Sequence, residues 1–179
     1  MQSDLINIVN EKNELTGAQE TWGNVHKKAL IHRSVHIWIY NENGEVLLQL
    51  RSKEKFTFPD LWDISCAGHV DLNEDPKASA LRELEEELGL KINPVELVFK
   101  EIIKEEKAYN GLSENEFCYI YLLNYNGKAQ ELILQKEEVQ DAKFFNIANL
   151  KKDLTINADK FVPHTYWINI LEEIEKMQK

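Results

Sequence analysis

The chain has 179 residues, 43% of them hydrophobic, enough to bury one respectable core, and the reading is a single domain over 1–179. Its formal net charge of −10 removes the basic footprint that a nucleic-acid polymer would need, while small phosphorylated substrates stay open because a bound cation inverts the local field. Cys66 and Cys118 are too few for a disulfide scaffold, Met1-Gln2-Ser3-Asp4 carries no basic region ahead of an apolar run, and no stretch of about eighteen apolar residues occurs. The expectation is therefore a cytoplasmic protein with no membrane partner; the sequence is neutral on a homodimer.

In chain order, Leu5, Ile6, Ile8 and Val9 before Asn10-Glu11-Lys12-Asn13 predict an N-terminal β-ribbon extension within residues 1–28. Residues 31–40 alternate Val35, Ile37 and Ile39 against His36, Trp38 and Tyr40, and Asn43-Gly44 turns the chain into Val46-Leu47-Leu48-Gln49-Leu50, so a hairpin is expected. A helix follows over 76–88: Asp75 is a good N-cap, Pro76 fits the first helical position, and Gly89 supplies the left-handed residue that stops it. Further strands are predicted at about 63–67, 95–105, 117–125 and 142–146, a short helix over 146–154, and a C-terminal helix over 161–177 with Trp167, Ile170, Leu171 and Ile174 on one stripe. Strands and helices interleave without repeats, which suggests an α/β layered domain.

The helix at 76–88 ends in Arg82-Glu83-Leu84-Glu85-Glu86-Glu87-Leu88-Gly89. Positions 83, 86 and 87 share one face, while Leu81, Leu84 and Leu88 line another that can meet a core. Like charges at these spacings repel by roughly 0.2–0.5 kcal/mol per pair, and anions beside a helix C-terminus oppose its dipole by a further ~0.3–1 kcal/mol each. A divalent cation reverses both terms; a merely solvated acidic face is the plainer alternative.

Upstream, Gly68 precedes Glu74 by five intervening residues, and seven more lead to Arg82-Glu83-Leu84, Glu86-Glu87, Gly89 and Leu90. Residues 68–90 thereby resemble the Nudix box, Gly-x5-Glu-x7-Arg-Glu-U-x-Glu-Glu-x-Gly-U with U aliphatic, at every fixed position. The resemblance implies a Nudix-type α/β/α sandwich with a mixed β-sheet and a metal-dependent hydrolase of a small diphosphate, with a nucleoside diphosphate or its derivative as leading substrate and Mg²⁺ or Mn²⁺ as cofactor. Glu86 and Glu87 are expected as direct metal ligands, with Glu83 a third ligand or the base on a metal-bound water. Arg82 either pairs with Glu86 or orients the loop carrying Glu74, and Gly68 lets the backbone approach phosphates closely.

The wider sequence resembles the branch of that superfamily containing isopentenyl-diphosphate isomerase and its hydrolase relatives. The carriers are Val25-His26, His32-Arg33, Leu50-Arg51-Ser52 with Lys55, Trp62 to Val70, and Glu114-Asn115-Glu116. In the isomerases, positions resembling His26, His32, His69, Glu114 and Glu116 hold a divalent metal, and those resembling Arg51 and Lys55 bind diphosphate. This set is expected as a second metal or phosphate site, with Glu116 also a candidate ligand contributed from outside the box. Isomerisation itself uses a cysteine immediately before the Gly-His and a tryptophan over a carbocation; here Ala67 precedes Gly68, Cys66 faces the other way in a strand, and His164 stands in the probable tryptophan position. The isomerases also generally degrade the glutamate cluster that this chain keeps. Hydrolysis is thus favoured over isomerisation, with a non-catalytic nucleotide-sensing domain as the alternative of another class. His36 reads as structural, Cys66 as packing, and the tryptophans as core, with Trp22 a candidate to reach a base or isoprenoid group.

Overall fold

The computed structural model describes residues 5–72 and 74–178. Strands β1 (Leu5–Val9) and β2 (Leu15–Thr21) form the antiparallel ribbon expected at the N-terminus, but the ribbon stops at Thr21, and Trp22–Lys27 is a short helix, α1. Next come β3 (His32–Tyr40), β4 (Glu45–Arg51), β5 (Trp62–Asp63), β6 (Cys66–His69) and α2 (Pro76–Leu88). The chain continues through β7 (Val98–Tyr109), β8 (Leu112–Asn124), β9 (Val139–Asn146), α3 (Ile147–Ile156) and α4 (Trp167–Met177).

The main sheet is mixed. Strand β3 runs parallel to β8 over the full span His32↔Glu116 to Tyr40↔Asn124, β8 pairs antiparallel with β7, and β9 and β5 flank β4. Helix α2 packs on one face against Val35, Ile37, Ile39, Cys66 and Leu123. On the other, α3 and α4 bury Leu150, Trp167, Ile170, Leu171 and Ile174 over Trp38, Ile120 and Leu122. These three layers make an α/β/α sandwich, and β3, covered on both faces, buries His36 and Trp38 as completely as its alternating valine and isoleucines.

Several expected elements differ in extent. The β3–β4 hairpin turns at Asn43-Gly44 but keeps only the pair Tyr40↔Val46, after which the strands part. The gap is wedged by Ser65, whose hydroxyl accepts from Ile39 N at 2.7 Å and donates to Leu47 O at 2.6 Å. The strand expected at 63–67 is consequently two pieces, because β5 hydrogen-bonds β4 while β6 crosses to β3. The strand expected at 95–105 begins at Val98, since Asn93 caps a 3-10 turn over Pro94–Glu96. It then runs on to Tyr109, turning at Asn110-Gly111, both with positive φ, into a β8 that starts five residues earlier than its expected position 117. The helix expected at 161–177 starts at Trp167: Phe161 bridges Trp62, and Val162 N bonds Trp62 O at 2.9 Å, which holds 161–164 extended.

Strand β6 faces two ways. Cys66 packs among the α2-side residues and Gly68 abuts Glu83 of α2, whereas Ala67 packs toward the opposite layer and His69 stacks on His32 at 5.0 Å between ring centroids.

Candidate active site

Helix α2 is set as its sequence specifies. The Asp75 carboxylate accepts from Lys77 N at 2.9 Å and Ala78 N at 3.1 Å, and Gly89 at φ 67° closes the far end with bonds to Glu85 O and Leu84 O. Burying Ala80, Leu84 and Leu88 fixes its rotation and turns Glu83 and Glu87 inward toward β6 and β4, leaving Glu86 half-exposed. Arg82 ties the box together, donating to Glu74 at 3.1 Å, Glu83 at 2.8 Å, Glu86 at 3.0 Å and His69 O at 3.2 Å. Both expectations for Arg82, the i+4 pair and the hold on Glu74, are present together. An added Cβ on Gly68 would stand 2.1 Å from the Glu83 carboxyl, so glycine here makes room for a catalytic-type carboxylate rather than only for backbone approach.

Burial, reinforced by the neighbouring Glu87, pushes the Glu83 carboxyl up to about 8, and burial likewise raises Glu87, which accepts from Gln49 Nε2 at 3.3 Å. Two carboxylates taken out of water beside each other make an oxygen-donor set suited to a hard divalent cation such as Mg²⁺ or Mn²⁺, so the residues fit the cofactor that the box implies.

On the other face of the sheet, α1, the first residue of β3, the last of β6 and Glu116 of β8, paired with His32, bring ligand atoms of His26, His32, His69 and Glu116 within 4.8 Å of one another. His32 is oriented by Leu30 O at 3.0 Å through Nδ1 and meets Glu116 Oε1 at 3.0 Å through Nε2. Burial alone would lower its pKa, but Glu116 outweighs it and His32 titrates high, while burial holds His69 well below the usual range. His69 Nε2 is buried without a hydrogen-bond partner, 3.7 Å from Glu116 Oε1. An orphaned imidazole nitrogen among two other imidazoles and a carboxylate fits a transition-type divalent ion. Glu116 thus joins the histidines rather than the box glutamates, and Glu114 stands outside the set, with Lys107 at 3.4 Å.

Arg51 and Lys55 both line the cavity, though neither side chain is without protein partners. Arg51 donates to Thr57 O at 2.9 Å, Phe58 O at 3.1 Å and Asp63 at 2.9 Å, clamping its own loop, and Lys55 contacts the Glu138 carboxylate. A cavity of about 530 Å³ joins the two faces, reached by Glu83, Glu86, Glu87, His26, His69 and Glu116 alike.

Sequence reasoning missed a buried charged floor. His164 is held between Asp63 and Glu105, each at 2.7 Å; Lys107 reaches Glu105 at 2.6 Å, and His36 bonds the Tyr166 hydroxyl. Charges alternate along Arg51, Asp63, His164, Glu105, Lys107 and Glu114. His36, read from sequence as structural, lies 3.7 Å from Glu116 and lines the same cavity. The available signal was parity: His32, Ser34 and His36 share one face of β3, opposite Glu116 and Cys118 in the parallel register.

The family model for the NUDIX domain matches residues 30–165, and the chain belongs to the Nudix family. With the complete box it is an enzyme of the pyrophosphohydrolase class. It is 34% identical over 171 residues to Nudix hydrolase 3 of Arabidopsis thaliana, covering 92% of this chain but only 22% of that longer protein. It is also 32% identical over 164 residues to an isopentenyl-diphosphate Delta-isomerase of Aliivibrio fischeri, covering 89% of each. Among solved structures, DR0079 from Deinococcus radiodurans superposes with a TM-score of 0.68 at 19% identity, over 94% of this chain and 98% of that one, a likeness of fold.

Proposed function

We propose that the protein is a divalent-metal-dependent hydrolase of small diphosphates, with a nucleoside diphosphate or a nucleoside diphosphate derivative as leading substrate, cleaved by attack of water on phosphorus. The observation that carries this reading is the intact carboxylate face of α2, with Glu87 buried and Glu83 partly buried against Gly68. When bound there, Mg²⁺ or Mn²⁺ neutralises phosphate oxygens and lowers the pKa of water. Glu86 and Glu87 would hold the ion, and Glu83, its carboxyl raised by burial, would be the third ligand or take a proton from the attacking water. Arg82 fixes the directions of Glu83 and Glu86, Lys55 offers its ammonium to the phosphates, and Arg51 supports them by shaping the loop that carries Lys55. Gly68 keeps the space open. Glu116 works with His26, His32 and His69 as a second metal or phosphate site, with Glu114 held nearby by Lys107.

That histidine set is also the feature favouring a second reading, isopentenyl-diphosphate isomerisation. Against it, Ala67 rather than a thiol faces the cavity, while Cys66 is buried on the α2 side with its thiol pushed up by burial. The test is a diphosphate panel with products resolved, run with Mg²⁺ and Mn²⁺. Phosphate or nucleoside monophosphate release is expected; dimethylallyl diphosphate formed from isopentenyl diphosphate without phosphate release would replace hydrolysis by isomerisation.

A further inference from the structure

The cavity has two kinds of wall. Its floor is charged, with His36, Asp63, His164 and Glu116 all buried and hydrogen-bonded or ion-paired among themselves. An apolar tail placed there would strip polar groups of solvent without replacing it. Aromatic surface instead gathers around Trp22 and Phe56, whose ring centroids are 5.4 Å apart and tilted by 40°. Trp22 is backed on one side by His26, stacked at 4.1 Å and 25°, so its plane is fixed. Phe56 is 75% exposed, on a loop pinned by the Arg51 bonds to Thr57 O and Phe58 O and by the Lys55 N to Ser52 O bond at 3.2 Å. A fixed loop that holds a phenyl ring toward water, backed by contact with a second ring of fixed plane, leaves an exposed ring surface on which a flat partner can stack.

We propose that Trp22 and Phe56 form the recognition site for the planar base of a nucleoside diphosphate, which stacks on Phe56 while its diphosphate reaches the carboxylates of α2. The proposal rests on the diphosphate reading above and adds what the other end of the substrate must be. Glu54, on the same loop and lining the same cavity, offers an acceptor to the base edge, while Lys55 beside it stays with the phosphates. A saturated or branched chain gains only contact area from such rings, whereas a base also gains stacking, which is sequence-tolerant because every base has a π face.

The experiment is calorimetric titration of the full chain, in Mg²⁺, with the non-hydrolysable adenosine 5′-(α,β-methylene)diphosphate and with methylenediphosphonate, which lacks sugar and base. Phe56→Ala, at an exposed position, should weaken nucleotide binding by roughly 5- to 100-fold, as for loss of one base–aromatic stack. Phe56→Tyr should restore it, and methylenediphosphonate should bind wild type and Phe56→Ala equally. Unchanged nucleotide affinity in Phe56→Ala, or an equal loss for both probes, overturns the stacking site, as does an equal loss for an isopentenyl methylenediphosphonate. If wild type binds methylenediphosphonate and the nucleotide no more tightly, base recognition fails while the diphosphate reading survives; if it binds neither, both fall.

Discussion

Glu86 and Glu87 are adjacent in sequence and differ in situation. Glu87 is buried, whereas Glu86 is half-exposed and bonded to Arg82 at 3.0 Å. Glu86→Gln should therefore lower turnover by orders of magnitude with Tm nearly unchanged. The apo stabilisation that simple charge repulsion suggests is offset by loss of the Arg82 pair, and unchanged turnover would remove Glu86 from the ligand set. Gly68→Ala acts through its neighbour: the new methyl claims the space of the Glu83 carboxyl, so turnover should fall sharply while the far-UV spectrum stays native. Glu83 itself carries a pH signature. Its folded pKa of about 8 lies above the ordinary carboxyl value of 4.5, so its contribution to stability is complete below about 4.5 and is lost as pH rises through about 8. Added Mn²⁺ should raise Tm, since binding is coupled to folding. With a roughly constant ion concentration, the rise should be larger at pH 8 than at pH 6, where the ion must displace a proton; equal increments would place the ion away from Glu83.

At the level of elements, the parting of β3 and β4 rests on one hydroxyl. Ser65→Ala leaves a backbone N–H at Ile39 and a carbonyl at Leu47 buried without that partner, a cost of about 1–3 kcal/mol by denaturant titration. A loss well under 1 kcal/mol would mean that the strands re-pair directly. This wedge also marks where the sequence stopped being readable. Helix α2 was legible because its caps, apolar stripe and glutamates all lie within 75–89, each a local signal. The separation of β5 from β6 and the extended course of Phe161–His164 depend instead on partners remote in the chain, Leu47 and Trp62, which no local pattern announces. The box residues and the histidine set were similarly legible as motifs, whereas Glu105 and Lys107 looked like ordinary charges of a mixed stretch, Lys-Glu-Glu-Lys. Only the face that β7 turns toward α4 distinguishes them from the exposed Lys104 and Glu106.

Across the whole molecule, the buried alternating string from Arg51 to Glu114 ties β4, β5, β7, β8 and the segment before α4 to one another. Glu105 is its keystone, bonded to His164, Lys107 and the Thr165 amide. Burial alone would raise its pKa, but these partners depress it from 4.5 to about 2. Its stabilising share is therefore present above about 4.5 and lost as pH falls toward 2. Tm should drop across that interval by an amount reflecting a few kcal/mol, and the Glu105→Gln variant, less stable at pH 7, should show a flatter profile there. Parallel profiles for the two proteins would assign acid sensitivity elsewhere. No helix among the described residues is long and apolar enough to cross a membrane.

The four residues of β6 carry a constraint on descent. Because Gly68 serves the glutamates on one face and His69 the histidines on the other, the two centres are written in a single alternating frame. Inserting or deleting one residue there would hand each side chain to the wrong centre and disable both at once. A lineage could alter either cluster by point substitution but not by a change of length, so variation in chain length among relatives should be absent from 66–69 and tolerated in the loops on either side.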